Sequence, residues 1–102
     1  ETYKYLAFEK REFVLSKQLL RSGTSIGANI SEAIGGQSPK DFIHKLSIAQ
    51  KECNESIYWI ELLIAFLELN SEGIKKLQKE ADELLRILSS IVLNTKQKMQ
   101  LE

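Results

Sequence analysis

The sequence has little cysteine, proline or glycine. Its one cysteine, Cys53, cannot form an internal disulfide, which excludes a disulfide-stabilised secreted scaffold. One proline and five glycines in 102 residues leave long stretches that favour helices. The chain also has no excess of either charge, because fourteen basic residues balance fourteen acidic residues. We therefore expect no whole-molecule field that attracts nucleic acid or an anionic membrane, although a local patch is compatible with this balance.

Long apolar runs are also missing. The longest, "IELLIAFLEL", is interrupted by Glu61 and Glu68 and is much shorter than the ~20 residues of a membrane-spanning helix. The sequence shows no secretory signal peptide. These features together predict a cytoplasmic protein without a membrane partner.

Apolar residues recur at intervals of three and four in the first half of the chain. This spacing predicts a helix over roughly Glu12 to Ile34, and Gly35-Gly36 predicts a left-handed cap at its carboxyl end. The preceding "ETYKYLAF" contains apolar residues but is too short for a comparable helix. We interpret it as the end of a truncated first helix.

Two more helices are predicted after the glycines. Ser38 and Pro39 suit a helix start, and the heptad pattern then continues from Phe42 to Leu67. Ser71 offers a second cap before a pattern that begins at Ile74. Links of about four residues between long helices favour antiparallel neighbours. The sequence therefore predicts one all-α domain over residues 1–102, an up-down antiparallel four-helix bundle whose first helix is truncated.

Two glycines interrupt the helix that contains "QLLRSGTSIGANISEA". Gly23 and Gly27 each cost roughly 1 kcal/mol relative to alanine inside a helix. In a hairpin whose turn lies near Gln37, Gly27 faces Ser47 and Ser25 faces Ala49. We expect a close-packing seam at Gly23, Gly27 and Ala49, because small residues let two helix backbones approach.

A wholly polar stripe runs along the same helix. It can be a solvated face, a docking strip for nucleic acid or protein, or a layer of hydrogen bonds between helices. We favour the layer, in which Arg21 pairs with Glu52 or Glu55 and Asn29 reaches across. Its predicted members are Gln18, Arg21, Ser25, Asn29, Glu32, Glu52 and Glu55.

The segment from Trp59 to Leu67 is apolar around nearly its whole circumference. Such a helix needs burial on several sides, which either upstream residues or a neighbouring subunit would supply. The predicted contacts with another copy of the chain are Trp59, Leu62, Ile64 and Phe66.

Together, "QLLRSGTSIGANISEA" and "DFIHKLSIAQKECNESIYWIELL" resemble a known family. It is the family of four-helix-bundle proteins encoded in bacterial 23S rRNA intervening sequences, which also resembles the accessory variability proteins of diversity-generating retroelements. The resemblance covers most of the chain from Glu12 onward. The matching positions are Gln18, Arg21, Ser25, Ile26, Asn29, Ile30, Glu32, Phe42, Leu46, Ala49, Glu52, Glu55 and Trp59.

This resemblance implies a bacterial, cytoplasmic protein that assembles as a ring-shaped homopentamer of four-helix subunits. The retroelement accessory proteins are strongly basic and look like binders of nucleic acid and reverse transcriptase, whereas this chain has zero formal net charge. Two functions therefore stay open: a non-enzymatic homo-oligomeric scaffold, which we favour, and an RNA-binding accessory protein. The candidate nucleic-acid contacts are Lys10, Arg11 and Lys17.

No residue pattern indicates a catalytic or metal site. Asp41 and His44 form one i, i+3 pair, whereas di-metal bundles need two Glu-x-x-His motifs and further carboxylates. Cys53 occupies a seam position and is predicted to be a small buried side chain rather than a nucleophile. We therefore expect no catalysis, no cofactor and no small-molecule substrate.

Overall fold

Three helices make up the described fold. The computed structural model describes the backbone of residues 2–67 and 71–101 and the side chains of residues 11–65 and 71–100. In order, these helices are α1 (Thr2–Ile34), α2 (Pro39–Leu67) and α3 (Glu72–Leu101). The all-α prediction is confirmed. The separate truncated helix is wrong, because α1 runs without a break through residues 9–11, which contain neither proline nor glycine.

The carboxyl end of α1 differs from the predicted cap. Neither Gly35 nor Gly36 has a φ in the left-handed region between +20° and +160°, so the left-handed cap is wrong. The amide of Gly35 donates to the Ser31 carbonyl at 3.2 Å and that of Gly36 to the Ala33 carbonyl at 3.1 Å. A Cβ atom on Gly36 would lie 3.0 Å from the Ala33 carbonyl oxygen. Glycine is therefore needed there for close backbone approach.

Serine caps begin the other two helices. The Ser38 hydroxyl oxygen accepts from the Asp41 amide at 3.1 Å, and the Ser71 hydroxyl oxygen accepts from the Ile74 amide at 3.2 Å. Each bond satisfies an amide that the first helical turn leaves free. The predicted capping by Ser38 and Ser71 is confirmed.

The long helix α2 packs against both other helices. The pairs Arg21–Glu55 and Glu32–Lys45 show that α1 and α2 are antiparallel. The Gln50 amide nitrogen reaches the Ser89 hydroxyl of α3 at 2.9 Å. In the described residues, no Cα atoms of α1 and α3 approach within 8 Å. The result is an elongated, open arrangement measuring 64 × 21 × 17 Å.

The core follows the contacts of α2. Its buried members are Ile26, Ala33, Leu46, Ala49, Cys53, Leu88 and Val92. Ile60 and Leu63 are buried nearer the carboxyl end of α2. None of the helices in the described part of the chain is long and apolar enough to cross a membrane.

Candidate functional site

An apolar groove separates α1 from α3. Its floor is formed by Cys53, Ser56 and Ile60 of α2, and the cavity has a volume of about 430 Å³. Leucine side chains dominate both walls. The wall residues are Leu19, Leu20, Gly23, Thr24 and Ile26 on α1, and Leu77, Glu80, Ala81 and Leu84 on α3. Because no Cα atoms of α1 and α3 lie within 8 Å of each other in the described residues, this groove is open along one side of the molecule.

Exposed apolar side chains continue the α1 wall along the helix. Phe13 and Leu20 are each 68% exposed and Ile34 is 77% exposed. With Gly27 they repeat every seven residues, so they lie close to one line along α1. The opposite wall has the same repeat in α3, at Leu77, Leu84 and Ile91, of which the first and last are exposed. The described surface thus presents two facing heptad stripes without a helix between them.

The predicted close-packing seam against α2 is wrong for two of its three residues. A Cβ atom added at Gly23 or Gly27 would meet no atom within 4 Å, whereas Ala49 is completely buried in the core. The side of α1 that faces α2 instead carries Ser22 and Ile26. The side of α1 that faces α2 is therefore displaced by about one residue from the prediction. Gly27 belongs to the exposed stripe on α1, and Gly23 lines the α1 wall of the groove.

Arg21 joins several members of the predicted polar layer. Its guanidinium forms an ion pair with Glu55 and lies 3.5 Å from Glu52, while its Nε donates to the Gln18 side-chain oxygen at 3.1 Å. The Trp59 indole nitrogen donates to Glu55 at 3.3 Å. Arg21 is 48% exposed and Glu52 only 15%. The structure therefore places this network at the edge of the α1–α2 interface.

The other predicted layer residues separate into two groups. The Asn29 amide nitrogen donates to the Ser25 carbonyl at 2.8 Å and lies 3.3 Å from the Ser25 hydroxyl, so Asn29 bonds within α1. The expectation that Asn29 reaches across is wrong, because its short side chain is satisfied by its own helix. Glu32 does cross the interface, and its carboxylate lies 2.6 Å from the Lys45 ammonium. Sequence reasoning missed Lys45.

The hydroxyl pair Ser22–Ser56 is another contact that sequence reasoning missed. Their oxygens lie 2.7 Å apart in the α1–α2 interface, and both residues are buried. Serine at a single position carries no signal for such a pair. The predicted register places Ser22 opposite Glu52, one helical turn before Ser56, so it could have indicated this pair only if that offset was allowed for.

The remaining predicted interaction residues are dispersed. Trp59, Leu62 and Ile64 are half-buried, and Arg11 and Lys17 are exposed on α1. The side chains of Phe66 and Lys10 lie outside the described residues. The roles of all seven in assembly or in nucleic-acid binding stay predictions.

Cys53 is fully buried at the groove floor. Burial, with a smaller contribution from the negative charge of Asp82, raises the pKa of the Cys53 thiol above its ordinary value. Its sulfur donates to the Ala81 carbonyl at 3.4 Å. A thiol held in its protonated form is a poor nucleophile and a poor metal ligand. In the described residues, no three His, Cys, Asp or Glu side chains are grouped to hold a metal ion.

The chain matches a known protein family and a solved structure. The family model of the 23S rRNA-intervening sequence protein matches residues 1–90. The chain is also similar to a crystal structure of a protein of unknown function from the S23 ribosomal protein family of Bacteroides thetaiotaomicron. That structure is 52% identical, with a TM-score of 0.75 over 89% of this chain and 84% of the other. No curated protein matches the chain.

Proposed function

This chain belongs to the 23S rRNA-intervening sequence protein family, and from that premise we propose that it is a non-enzymatic, cytoplasmic subunit of a homo-oligomeric ring. In this assembly a helix from a neighbouring copy occupies the groove between α1 and α3. Each three-helix subunit thereby completes a four-helix bundle. The observation that carries the proposal is the open groove.

The chemistry of the groove suits an amphipathic helix. An α-helix with its side chains is about 10 Å across, and an apolar stripe is what it buries in a bundle. The floor and walls of the groove are mainly apolar, and the walls run along two helices of 33 and 30 residues. Apolar area removed from water stabilises an association by roughly 25 cal/mol per Å². Filling this groove would therefore favour assembly.

The heptad repeats of the walls suggest how the neighbour packs. Residues spaced by seven on two helices accept side chains from a third as knobs in holes. Gly23 and Gly27 have open space where a side chain would stand, so a neighbouring backbone can approach α1 closely there. Their helix-propensity cost would then be offset by contacts between copies rather than by contacts with α2.

A closed ring of five subunits is the stoichiometry that the resemblance implies. A groove on one side of a subunit that accepts a helix from the next subunit is a heterologous contact, which closes into a ring when the rotation between copies permits. The main features of the described surface are the apolar groove and the exposed apolar stripes, which suit packing against another helix. We therefore infer a structural role rather than catalysis.

Sedimentation equilibrium of the purified chain tests this proposal. At micromolar concentration we expect five times the subunit mass of 11.7 kDa. Leu20→Glu places a charge on the groove wall and should shift the mass to that of a monomer. Leu93→Glu is the matched control, because Leu93 is an exposed leucine on the side of α3 away from the groove.

The outcomes separate the parts of the proposal. A monomeric wild-type chain would refute self-association. A dimer or tetramer that Leu20→Glu dissociates would refute the pentamer and support the groove. If Leu93→Glu dissociates the assembly and Leu20→Glu does not, the contact lies on the other side of α3.

A further inference from the structure

We propose that a basic face on the outer side of α2 and α3 binds the phosphodiester backbone of single-stranded nucleic acid. The face consists of Lys40, His44 and Lys51 of α2 and Lys96 of α3. It lies on the side of α2 away from the groove, since Lys51 and Ile60 are separated by half a turn around the helix. This proposal does not depend on how the subunits assemble.

The zero net charge of the chain conceals a separation of charge. Antiparallel packing brings the second half of α1, the first half of α2 and the second half of α3 to one end of the molecule. Residues 18–34, 39–53 and 87–101 contain six lysines and arginines and three acidic residues, a formal charge of +3. The rest of the chain therefore has a formal charge of −3. A polyanion is attracted to the first end and repelled from the other.

Two lysines that are 56 positions apart in the sequence share one groove on this face. Lys40, His44 and Ser47 of α2 line it from one side, and Lys96 and Met99 of α3 line it from the other. Its volume is about 490 Å³. The eleven helical steps from Lys40 to Lys51 extend it along α2 by about 16 Å. Cations repeated along a line match a polymer with one negative charge per repeat.

The lysines of the basic face are available for an external anion. Ion pairs in the described residues join Arg21 to Glu52 and Glu55, Lys45 to Glu32, and Lys76 to Glu80. None of these pairs includes a residue of the basic face. Asp41 and Glu52 each directly follow a lysine of the face in the sequence. Asp41 is turned toward the α1–α2 connection, where its Cβ lies beside Gly36, and the Glu52 carboxylate lies 3.5 Å from the Arg21 guanidinium of α1.

Ring-bearing side chains favour nucleic acid over an acidic polypeptide as the partner. Tyr58 lies on the same side of α2 as Lys40 and Lys51, because these residues are seven and eleven positions apart, and it is exposed. His44 is exposed between the lysines. Unstacked bases of a single strand pack on such rings while lysines contact the phosphates.

Fluorescence anisotropy with a fluorescein-labelled 20-nucleotide oligouridine tests the proposal across a salt series. The variant Lys40→Ala/Lys51→Ala/Lys96→Ala should lose at least tenfold in affinity at 50 mM salt. Its plot of log affinity against log salt should be flatter by about two units, since each lost phosphate contact removes about 0.7. Tyr58→Ala should weaken binding at least fivefold and leave this slope unchanged.

The matched control is Lys75→Ala/Lys76→Ala/Lys79→Ala. It removes the same charge from exposed positions near the other end of α3 and should retain affinity within about threefold. The two triple variants should show the same circular dichroism as the wild-type chain. Three results would overturn the proposal: no binding by the wild-type chain, an equal loss of affinity in both triple variants, or an unchanged affinity of Tyr58→Ala. Competition by polyglutamate as effective as that by unlabelled oligouridine at equal charge would overturn it in favour of an acidic polypeptide.

Discussion

The hydroxyl oxygens of Ser22 and Ser56 lie 2.7 Å apart in the interface of α1 and α2, where both residues are buried. Ser22 also donates to the Leu19 carbonyl at 3.2 Å. The Ser22 hydroxyl has one proton, so in the arrangement that satisfies both contacts it donates to the Leu19 carbonyl and accepts the proton of Ser56. The two serines consequently have different roles, and their removal should have different costs.

Ser22→Ala should lower the free energy of unfolding by about 1–2 kcal/mol, because the buried Ser56 hydroxyl loses its acceptor. Ser56→Ala should cost less, since Ser22 still donates to Leu19. In the double variant no hydroxyl is left unpaired, and the loss should be smaller than the sum of the single losses. Urea denaturation measures all three. An additive double variant would contradict the coupling.

Arg21→Ala should lower the free energy of unfolding by about 1–2 kcal/mol. Glu52 is largely buried and one of its oxygens lacks a hydrogen bond within the described residues, so Arg21 is the cation that offsets its charge. The cost stays below the ~3 kcal/mol of a fully buried broken pair, because Arg21 is half exposed. Adding Glu52→Gln should recover part of the loss. Urea denaturation in low and high salt measures it; no recovery in the double variant would contradict this assignment.

The sequence predicted the helices better than it predicted their faces. Ser38 and Ser71 are reliable start signals, because a serine cap satisfies its helix locally. Gly23 and Gly27 misled the prediction, since small residues indicate close contact but do not identify the partner. The proximity of Lys40 and Lys96 could not be predicted from the sequence, because it depends on how α3 packs on α2. Arg21 and Glu55 were within reach, because the short hairpin connection sets their register.

Burial of Cys53 makes the stability of the fold depend on pH. Because its pKa is raised in the folded state, the unfolded chain loses the thiol proton more readily. The contribution of this group is therefore fully present below the unfolded value of 9.0 and decreases as the pH rises above it. Unfolding by urea at pH 7.5 and pH 10 should show a larger loss for the wild-type chain than for Cys53→Ala. Equal losses would mean that other groups cause the alkaline change.

The same thiol should react slowly with a disulfide reagent in the folded chain. Cys53 is completely buried and its thiolate is disfavoured, so labelling needs local or global opening. We expect rapid labelling only in denaturant, measured by the absorbance of the released thiolate. Fast labelling of the native chain at pH 7.5 would show that the groove floor opens readily.

Gly27→Ala should have opposite effects on the subunit and on the assembly. A Cβ atom at residue 27 enters open space in the subunit, so alanine should stabilise α1 by up to about 1 kcal/mol. If a neighbouring backbone packs on this position, the same methyl group separates the two helices and weakens association. The thermal unfolding temperature of dilute, dissociated chain should therefore rise, while the sedimentation mass at micromolar concentration falls.

Gly73→Ala is the control, because its Cβ would meet only the Ser71 hydroxyl at 3.8 Å, outside the groove. It should leave the mass unchanged. A Gly27→Ala chain that is more stable and equally associated would place residue 27 in solvent in the assembly as well.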